Sequence, residues 1–290
     1  ILAAPAARRR AMELGLKLED VQGSGSAGRI SVQDVEEYAS DNNTELATDA
    51  PDQNGEGITE IRITGMRRKI AAQMQNAKSR IPHFSYTEEC DLTELEIIRN
   101  EANMQRSPDQ IKLTLLPFVM RAMASLYQEY PMINSRYDDE KEILYCFNRI
   151  HIGIATNTNS GLVVPVVRDV QSIDIWQCAL ELSSITEATR TGKIQLHQIK
   201  GSTITISSLG LLGGVSSSPI INHPEVAIIS PNRLRERPVV INGQIEIRKM
   251  MNISASFDHR IVDGHEAAKF IQRLKRALES PADLMRLRAL

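Results

Sequence analysis

One histidine in the chain stands between two carboxylates and beside a guanidinium, in Asp258-His259-Arg260-Ile261-Val262-Asp263-Gly264. An unperturbed imidazole titrates near ~6.5, so at neutral pH it can take a proton from a thiol or hydroxyl and return it, which is general-base chemistry. The same residues also read as a surface charge cluster around a structural histidine, and spacing alone leaves both readings open. Residues 252–257 alternate Ile253, Ala255 and Phe257 with polar positions, the pattern of a half-buried strand. Past Gly264, which can turn freely, residues 265–279 place Ala267, Phe270, Ile271, Leu274 and Leu278 on one helical face. His259 is therefore expected on a loop between a strand and a helix.

At 290 residues the chain can build one sizeable domain and a small one. A formal net charge of -2 gives no reason to expect nucleic acid or an anionic membrane as partner. No uninterrupted apolar run approaches the roughly 18 residues of a membrane span. Cys90, Cys146 and Cys178 leave an odd thiol and no C-x-x-C pair, which fits a reducing compartment and buried, inert thiols. His83, His151, His197, His223 and His265 show no metal-ligand spacing, so no metal is expected. The chain opens at Ile1 with no signal-peptide pattern, the expectation being a fragment that has lost N-terminal material.

Residues 1–38 read as a small all-helical unit, with Pro5 opening one helix and Ser31, followed by Asp34, capping another. Between them Gly23-Ser24-Gly25-Ser26-Ala27-Gly28 matches the dinucleotide fingerprint, but no strand-helix-strand unit surrounds it, and the nucleotide reading is rejected. Residues 39–57 are polar and nearly free of apolar side chains, the composition of a flexible linker. From residue 58 onward helices and strands mix. Helices are expected over 66–78, 92–103, 115–127 and 173–191. Strands are expected over 83–91, 151–156, 162–170, 203–208 and 226–230, and over 239–247 with a hairpin at Asn242-Gly243. The strand at 203–208 carries isoleucines on one face and hydroxyls on the other.

The motif around His259 resembles the active-site signature of the dihydrolipoamide acyltransferases, the core subunits of 2-oxo acid dehydrogenase complexes. Further stretches match in order: Ile81-Pro82-His83-Phe84, Asp91-Leu92-Thr93-Glu94-Leu95, Gly161-Leu162-Val163-Val164-Pro165, Thr205-Ile206-Ser207-Ser208-Leu209-Gly210 and Pro219-Ile220-Ile221-Asn222. The first two look most like the branched-chain branch. The resemblance implies an α/β (α+β) chloramphenicol-acetyltransferase-like catalytic domain with a mixed sheet at 58–290, preceded by a small all-α peripheral subunit-binding domain at 1–38. It implies transfer of an acyl group, isobutyryl-type, from dihydrolipoamide to coenzyme A, with the lipoyl group on a domain absent from this chain.

By the same resemblance His259 is the base, Ser207 gives its hydroxyl to the oxyanion, and Asp263 holds the loop by an ion pair with an arginine. Arg99, Thr114 and Ser208 are implied contacts of coenzyme A, and Arg8 and Arg29 of the docking partner, dihydrolipoamide dehydrogenase or the decarboxylase. It further implies a homotrimer assembling into a larger cage, so that His259 and Ser207 acting together come from different chains. The apolar Leu284, Leu287 and Leu290 suit either an inter-trimer contact or a terminal helix folded on its own core. The implied setting is the bacterial cytoplasm or, in a eukaryote, the mitochondrial matrix, the former favoured. Three alternatives stay open: an acetyl- or succinyl-transferring relative, a docking scaffold without catalysis, and a free small-molecule acetyltransferase.

Overall fold

The computed structural model describes residues 2–14, 16–45, 59–159 and 161–286. Two compact units divide the chain, Ile1–Arg62 and Ile63–Leu290.

In the smaller unit α1 (Pro5–Leu14) and α2 (Val32–Glu45) pack Ala7, Ala11 and Val35 with Val21 and Ile30 of the connection. Proline is tolerated at the first helical position because that N–H has no intrahelical partner. The entry to α2 is set by Asp34, whose carboxylate accepts from Ser31 N at 2.7 Å and from Ser24 Oγ at 2.5 Å. Two of the three glycines serve the chain's own close approach, and the third, Gly28, takes a left-handed φ of 72°. A Cβ on Gly23 would lie 2.4 Å from Gly28 O, and one on Gly25 2.7 Å from Arg29 O. No residue but glycine fits there.

The hydroxyl of Ser24 and the amides of Ser31 and Ser24 hold the Asp34 carboxyl down at about 2. A carboxyl lowered on folding contributes stability that is complete above its ordinary value and lost as pH falls through the folded one. Amide-exchange protection of α1 and α2 is expected to decline between about pH 4 and pH 2. Asp34→Asn is expected to lower that protection and to remove its pH dependence.

In the larger unit the elements run α3 (Gly65–Arg80), β1 (His83–Asp91), α4 (Thr93–Gln105), α5 (Leu115–Leu126), β2 (Ser135–Asp138), β3 (Ile143–Cys146), β4 (Ile152–Thr158), β5 (Gly161–Val163) and β6 (Val166–Val167). Then come α6 (Ile175–Arg190), β7 (Ile204–Ser207), β8 (Ala227–Pro231), β9 (Arg235–Ile241), β10 (Gln244–Asp258), α7 (Gly264–Glu279) and α8 (Ala282–Arg286). Eight strands form one sheet in the order β1-β10-β8-β7-β4-β5, with β6 on β4 and β9 on β10. The β4–β7 and β7–β8 pairs are parallel and the others antiparallel, so the sheet is mixed as expected. Against it pack α5, α6 and α7, with Phe118, Met120, Met123, Phe257, Ile271 and Leu274 in the shared core.

Local chemistry explains the boundaries. Helix α3 stops at Ile81, which is extended (φ -100°, ψ 116°) because the ring of Pro82 disfavours the helical region for the residue before it. Helix α7 begins where the Asp263 carboxylate accepts from Glu266 N at 2.8 Å.

Several expectations need correction. The strand expected over 162–170 is two short pieces, β5 and β6, since Pro165 has no N–H to donate to a ladder. The strand before His259 begins at Gln244, so the hairpin and the approach to the loop are one element. Helix α2 continues to Glu45, past the residue where the linker was expected to begin; the remainder, 46–57, lies outside the described residues. The β2–β3 hairpin was not anticipated. On the hydroxyl face of β7 and just before it, Thr205 and Thr203 are buried and bonded to Glu225 and Asn134, while Ser207 is half-buried. Cys90 and Cys178 are buried, their thiols pushed up to about 12 by desolvation, whereas Cys146 is exposed on an edge strand. Leu284 is buried in the unit's own core, and Leu287 and Leu290 lie outside the described residues.

Candidate active site

Strand β10 is gripped on both sides at its C-terminal end, by β1 (His83 opposite Asp258) and by β8 (Phe257 opposite Ala227). It delivers His259 to a tight turn in which Ile261 N and Val262 N both donate to Asp258 O, at 3.0 and 2.9 Å. His259 N donates to Pro82 O at 3.1 Å. Its ring stands edge-on to Phe84, centroids 5.0 Å apart, and makes no hydrogen bond among the described residues. The imidazole is exposed while its backbone is fixed. That is the condition of a base awaiting a substrate proton.

Asp258, 1% exposed, is clamped by its neighbour but one. Arg260 donates to it from its backbone N (3.1 Å), from Nε (2.9 Å) and from its terminal guanidinium (2.6 Å). The guanidinium also reaches Asp139, in the turn between β2 and β3, and lies 4.8 Å from the centre of the Tyr137 ring. Asp139 in turn bonds His223 Nε2 at 2.9 Å and pairs with Arg80 at 3.8 Å. One carboxylate thus ties together the end of α3, the segment before β8 and the loop of His259.

Arg260→Ala is expected to leave a buried carboxylate with only the backbone N–H of residue 260 of the partners found among the described residues, costing about 3–5 kcal/mol. A drop in the urea midpoint of the larger unit's unfolding checks this, and Arg260→Lys is expected to recover only part of it, lacking the forked geometry.

Beneath the loop lies a second buried acid. Glu225, 2% exposed, accepts from Ser202 Oγ (2.5 Å), Thr205 Oγ1 (2.6 Å) and Asn222 Nδ2 (2.8 Å). Burial pushes its carboxyl up against the effect of these donors. Since Asp258 N donates to Val226 O, this group underpins the turn. Asp263 makes no ion pair among the described residues; as the N-cap of α7 it is held below the usual carboxylate range chiefly by the Glu266 amide. The expected arginine partner belongs instead to Asp258.

Ser207 ends β7, and sheet register separates it from His259 of the same chain. Ile229 lies beside Ile206 in the parallel β7–β8 pair, and Ser230 faces Ser254 in the antiparallel β8–β10 pair. Continuing by one position, Ser207 is level with Ser254, five residues before His259 and two strands away. At ~3.3 Å per residue and ~4.8 Å per strand the two are roughly 19 Å apart. Ser208 follows directly, its Oγ accepting from Gly210 N at 3.3 Å, and Leu209, Leu211 and Leu212 beyond it are exposed.

The structure brings Arg99 and Thr114 together, because Arg99 donates to Leu113 O at 3.3 Å. The guanidinium also holds Glu96 at 2.7 and 2.8 Å, and Thr114 is exposed. The start of α4, which carries Arg99, is bonded to Lys249 through Thr93, ten residues from His259 along β10. These residues therefore gather toward the end of the sheet occupied by Ser207. In the smaller unit Arg8 on α1 and Arg29 are both exposed. Among the described residues no group of three or more His, Cys, Asp or Glu could hold a metal, and no helix is long and apolar enough to cross a membrane.

Sequence reasoning missed the parts played by Asp139, His223 and Glu225. For Asp139 the signal was faint, two four-residue strands around the charged turn Asp138-Asp139-Glu140-Lys141.

This mixed sheet, with its loop-borne histidine, is similar in fold to solved acyltransferase cores. The structure of Azotobacter vinelandii dihydrolipoamide acetyltransferase, in which the catalytic roles of a serine, a histidine and an asparagine were investigated, matches with a TM-score of 0.76 at 33% identity, covering 81% of this chain and 98% of that one. The cubic core of the pyruvate dehydrogenase multienzyme complex matches with the same values. The fold and site thus define a dihydrolipoamide-type acyltransferase. The family described as "2-oxoacid dehydrogenases acyltransferase (catalytic domain)" matches residues 55–286, and "e3 binding domain" matches residues 1–36. The chain belongs to that acyltransferase family. The lipoamide acyltransferase component of the branched-chain alpha-keto acid dehydrogenase complex of Pseudomonas aeruginosa is 50% identical over 286 residues, 98% of this chain and 67% of that protein.

Proposed function

We propose that this acyltransferase moves a branched-chain acyl group, of isobutyryl type, from dihydrolipoamide to coenzyme A and forms the core of a branched-chain 2-oxo acid dehydrogenase complex. The observation that carries the reaction is His259, rigid in its backbone and open at its ring. The substrate reading is supported by 50% identity to a branched-chain component against 33% to an acetyltransferase. In this reading His259 removes the thiol proton of coenzyme A, and Ser207 donates to the oxyanion of the tetrahedral intermediate. Both thiol and thioester are the substrates' own, so the chain supplies position, a proton acceptor and a hydrogen-bond donor.

The separation of Ser207 from His259 within one chain supports a site shared between copies in a homotrimer, with Ser207, Ser208, Arg99 and Thr114 of one subunit facing His259 of its neighbour. Trimers would then build a cage. Asp263 acts through α7, fixing the exit of the loop, and does not move a proton. Residues 1–38, with the rest of α2 to Glu45, are the docking unit for dihydrolipoamide dehydrogenase, engaged through Arg8 and Arg29, and 46–57 the tether to the catalytic domain at 58–290. The lipoyl group would be carried by a separate domain, and the bacterial cytoplasm is the proposed setting.

Transfer rates from isobutyryl, acetyl and succinyl dihydrolipoamide to coenzyme A test the assignment. Isobutyryl is expected to lead, by about 10-fold or more over acetyl, since each methylene in a fitted pocket is worth roughly 1–3 kcal/mol. A lead by acetyl or succinyl overturns the branched-chain assignment, and no transfer from any donor overturns the reaction.

A further inference from the structure

We infer that His83 is a positioning residue for His259 that works only with a neutral ring, so that acid silences transfer by a two-proton event. The inference rests on the proposed reaction with His259 as its base. His83 opens β1 directly opposite Asp258, and the carbonyl of Pro82 before it receives the His259 N–H. Both ring nitrogens of His83 are committed to backbone groups. Nδ1 lies 2.8 Å from Ile81 O, which can only accept, so Nδ1 carries the hydrogen. Nε2 lies 3.0 Å from Ile221 N, which can only donate, so Nε2 must offer a lone pair. Two backbone atoms therefore select one neutral tautomer. An imidazolium would set an N–H against the Ile221 N–H and lose that bond.

What Ile221 anchors gives the bond its reach. Ile221 is fully buried against Ile81 and Ile228. Next to it Asn222 donates to the buried Glu225, and His223 holds Asp139, the carboxylate that grips Arg260. The loop of His259 is thus moored twice through His83: by the Pro82 carbonyl on one side and by the chain His223–Asp139–Arg260–Asp258 on the other.

The groups facing the ring bear on when it titrates. Burial lowers the pKa of His83, the Ile81 carbonyl opposes that, and Lys78 on α3 lowers it further. Asp258 on β10 pulls the other way but is itself matched by Arg260. His223 is engaged by Asp139, and His259 meets Phe84. With a pKa lowered on folding, the neutral state and its mooring are intact above the ordinary histidine range and lost as pH falls through the lowered value.

Two measurements test this on the full, assembled chain. The first compares the acid limb of log kcat/KM against pH for the parent and for His83→Gln, with isobutyryl dihydrolipoamide and coenzyme A. The parent is expected to reach a limiting slope of two and His83→Gln a slope of one, with about tenfold lower activity at pH 8 from the weakened mooring. Substrate ionisations enter both profiles alike, and equal slopes overturn the inference, since a merely structural histidine would lower the rate without changing proton number. The second follows amide exchange of residues 219–225 in the parent by mass spectrometry, corrected for intrinsic pH dependence. Protection is expected to be complete above the ordinary histidine range and to fall as pH drops below it, and protection unchanged from pH 8 down through the whole acid limb of the activity profile overturns the inference. This measurement needs no catalysis and no variant. It decides the role of His83 even if no donor is turned over or His83→Gln fails to assemble.

Discussion

His259→Ala is expected to lower kcat for acyl transfer by roughly 10²–10⁴-fold while leaving the Michaelis constants of both substrates within a few-fold of the parent, the signature of a lost general base. The side chain is exposed and makes no hydrogen bond among the described residues, so its removal costs the fold little beyond the contact with Phe84. Unfolding midpoints of parent and variant should therefore agree closely. That agreement separates chemistry from misfolding, as it would not for Arg260→Ala. A variant retaining more than a tenth of the parental rate would mean that the thiol loses its proton elsewhere, and the assignment of His259 would fall.

Mixing two inactive variants is expected to restore activity. Ser207→Ala removes the proposed oxyanion donor, a loss on the order of 10²–10³-fold, and His259→Ala removes the base. If each site takes its serine from one subunit and its histidine from the next, random co-assembly in equal amounts gives one interface in four with both side chains, and roughly a quarter of the parental rate returns. A site confined to one chain predicts no recovery, because every chain lacks one residue. The measurement is the rate after co-expression, compared with the same chains assembled separately and then combined. Absence of recovery, with mixed assemblies confirmed by mass, would require Ser207 and His259 to meet within one chain, against the sheet register.

Much of this was legible in the residues because the pattern there is dense. The alternation Ile253, Ala255, Phe257 and the apolar face of α7 bracket the loop of His259 in both sequence and structure. The proline at 82 marked the end of α3, and Ser31 with Asp34 the start of α2. Less legible were features depending on distant partners. Asp263 and Asp258 look equivalent in the motif, yet one caps a helix and the other is buried beneath a guanidinium, and only the packing of β1 and β8 around β10 decides which. Glu225 reads as a surface acid after a proline until Ser202, Thr205 and Asn222 are seen to converge on it. The turn bearing Asp139 was missed because strands of four residues carry too little periodicity to stand out.

Strand β10 also sets a length. Over its 15 residues it is paired in turn with β9, β1 and β8, so nothing along it can stretch or slip independently. Lys249, five residues into the strand, is bonded to the start of α4, and the C-terminal end carries His259, which makes the strand a ruler between the region of α4 and the loop of the proposed base. Deleting two residues would keep every side chain on its proper face, because the pleat repeats every second position, yet would shorten the ruler by roughly 7 Å. Such a chain could satisfy its own core and still fail to close a ring with its copies. In the proposed trimer, the spacing of subunits would be set by a single strand.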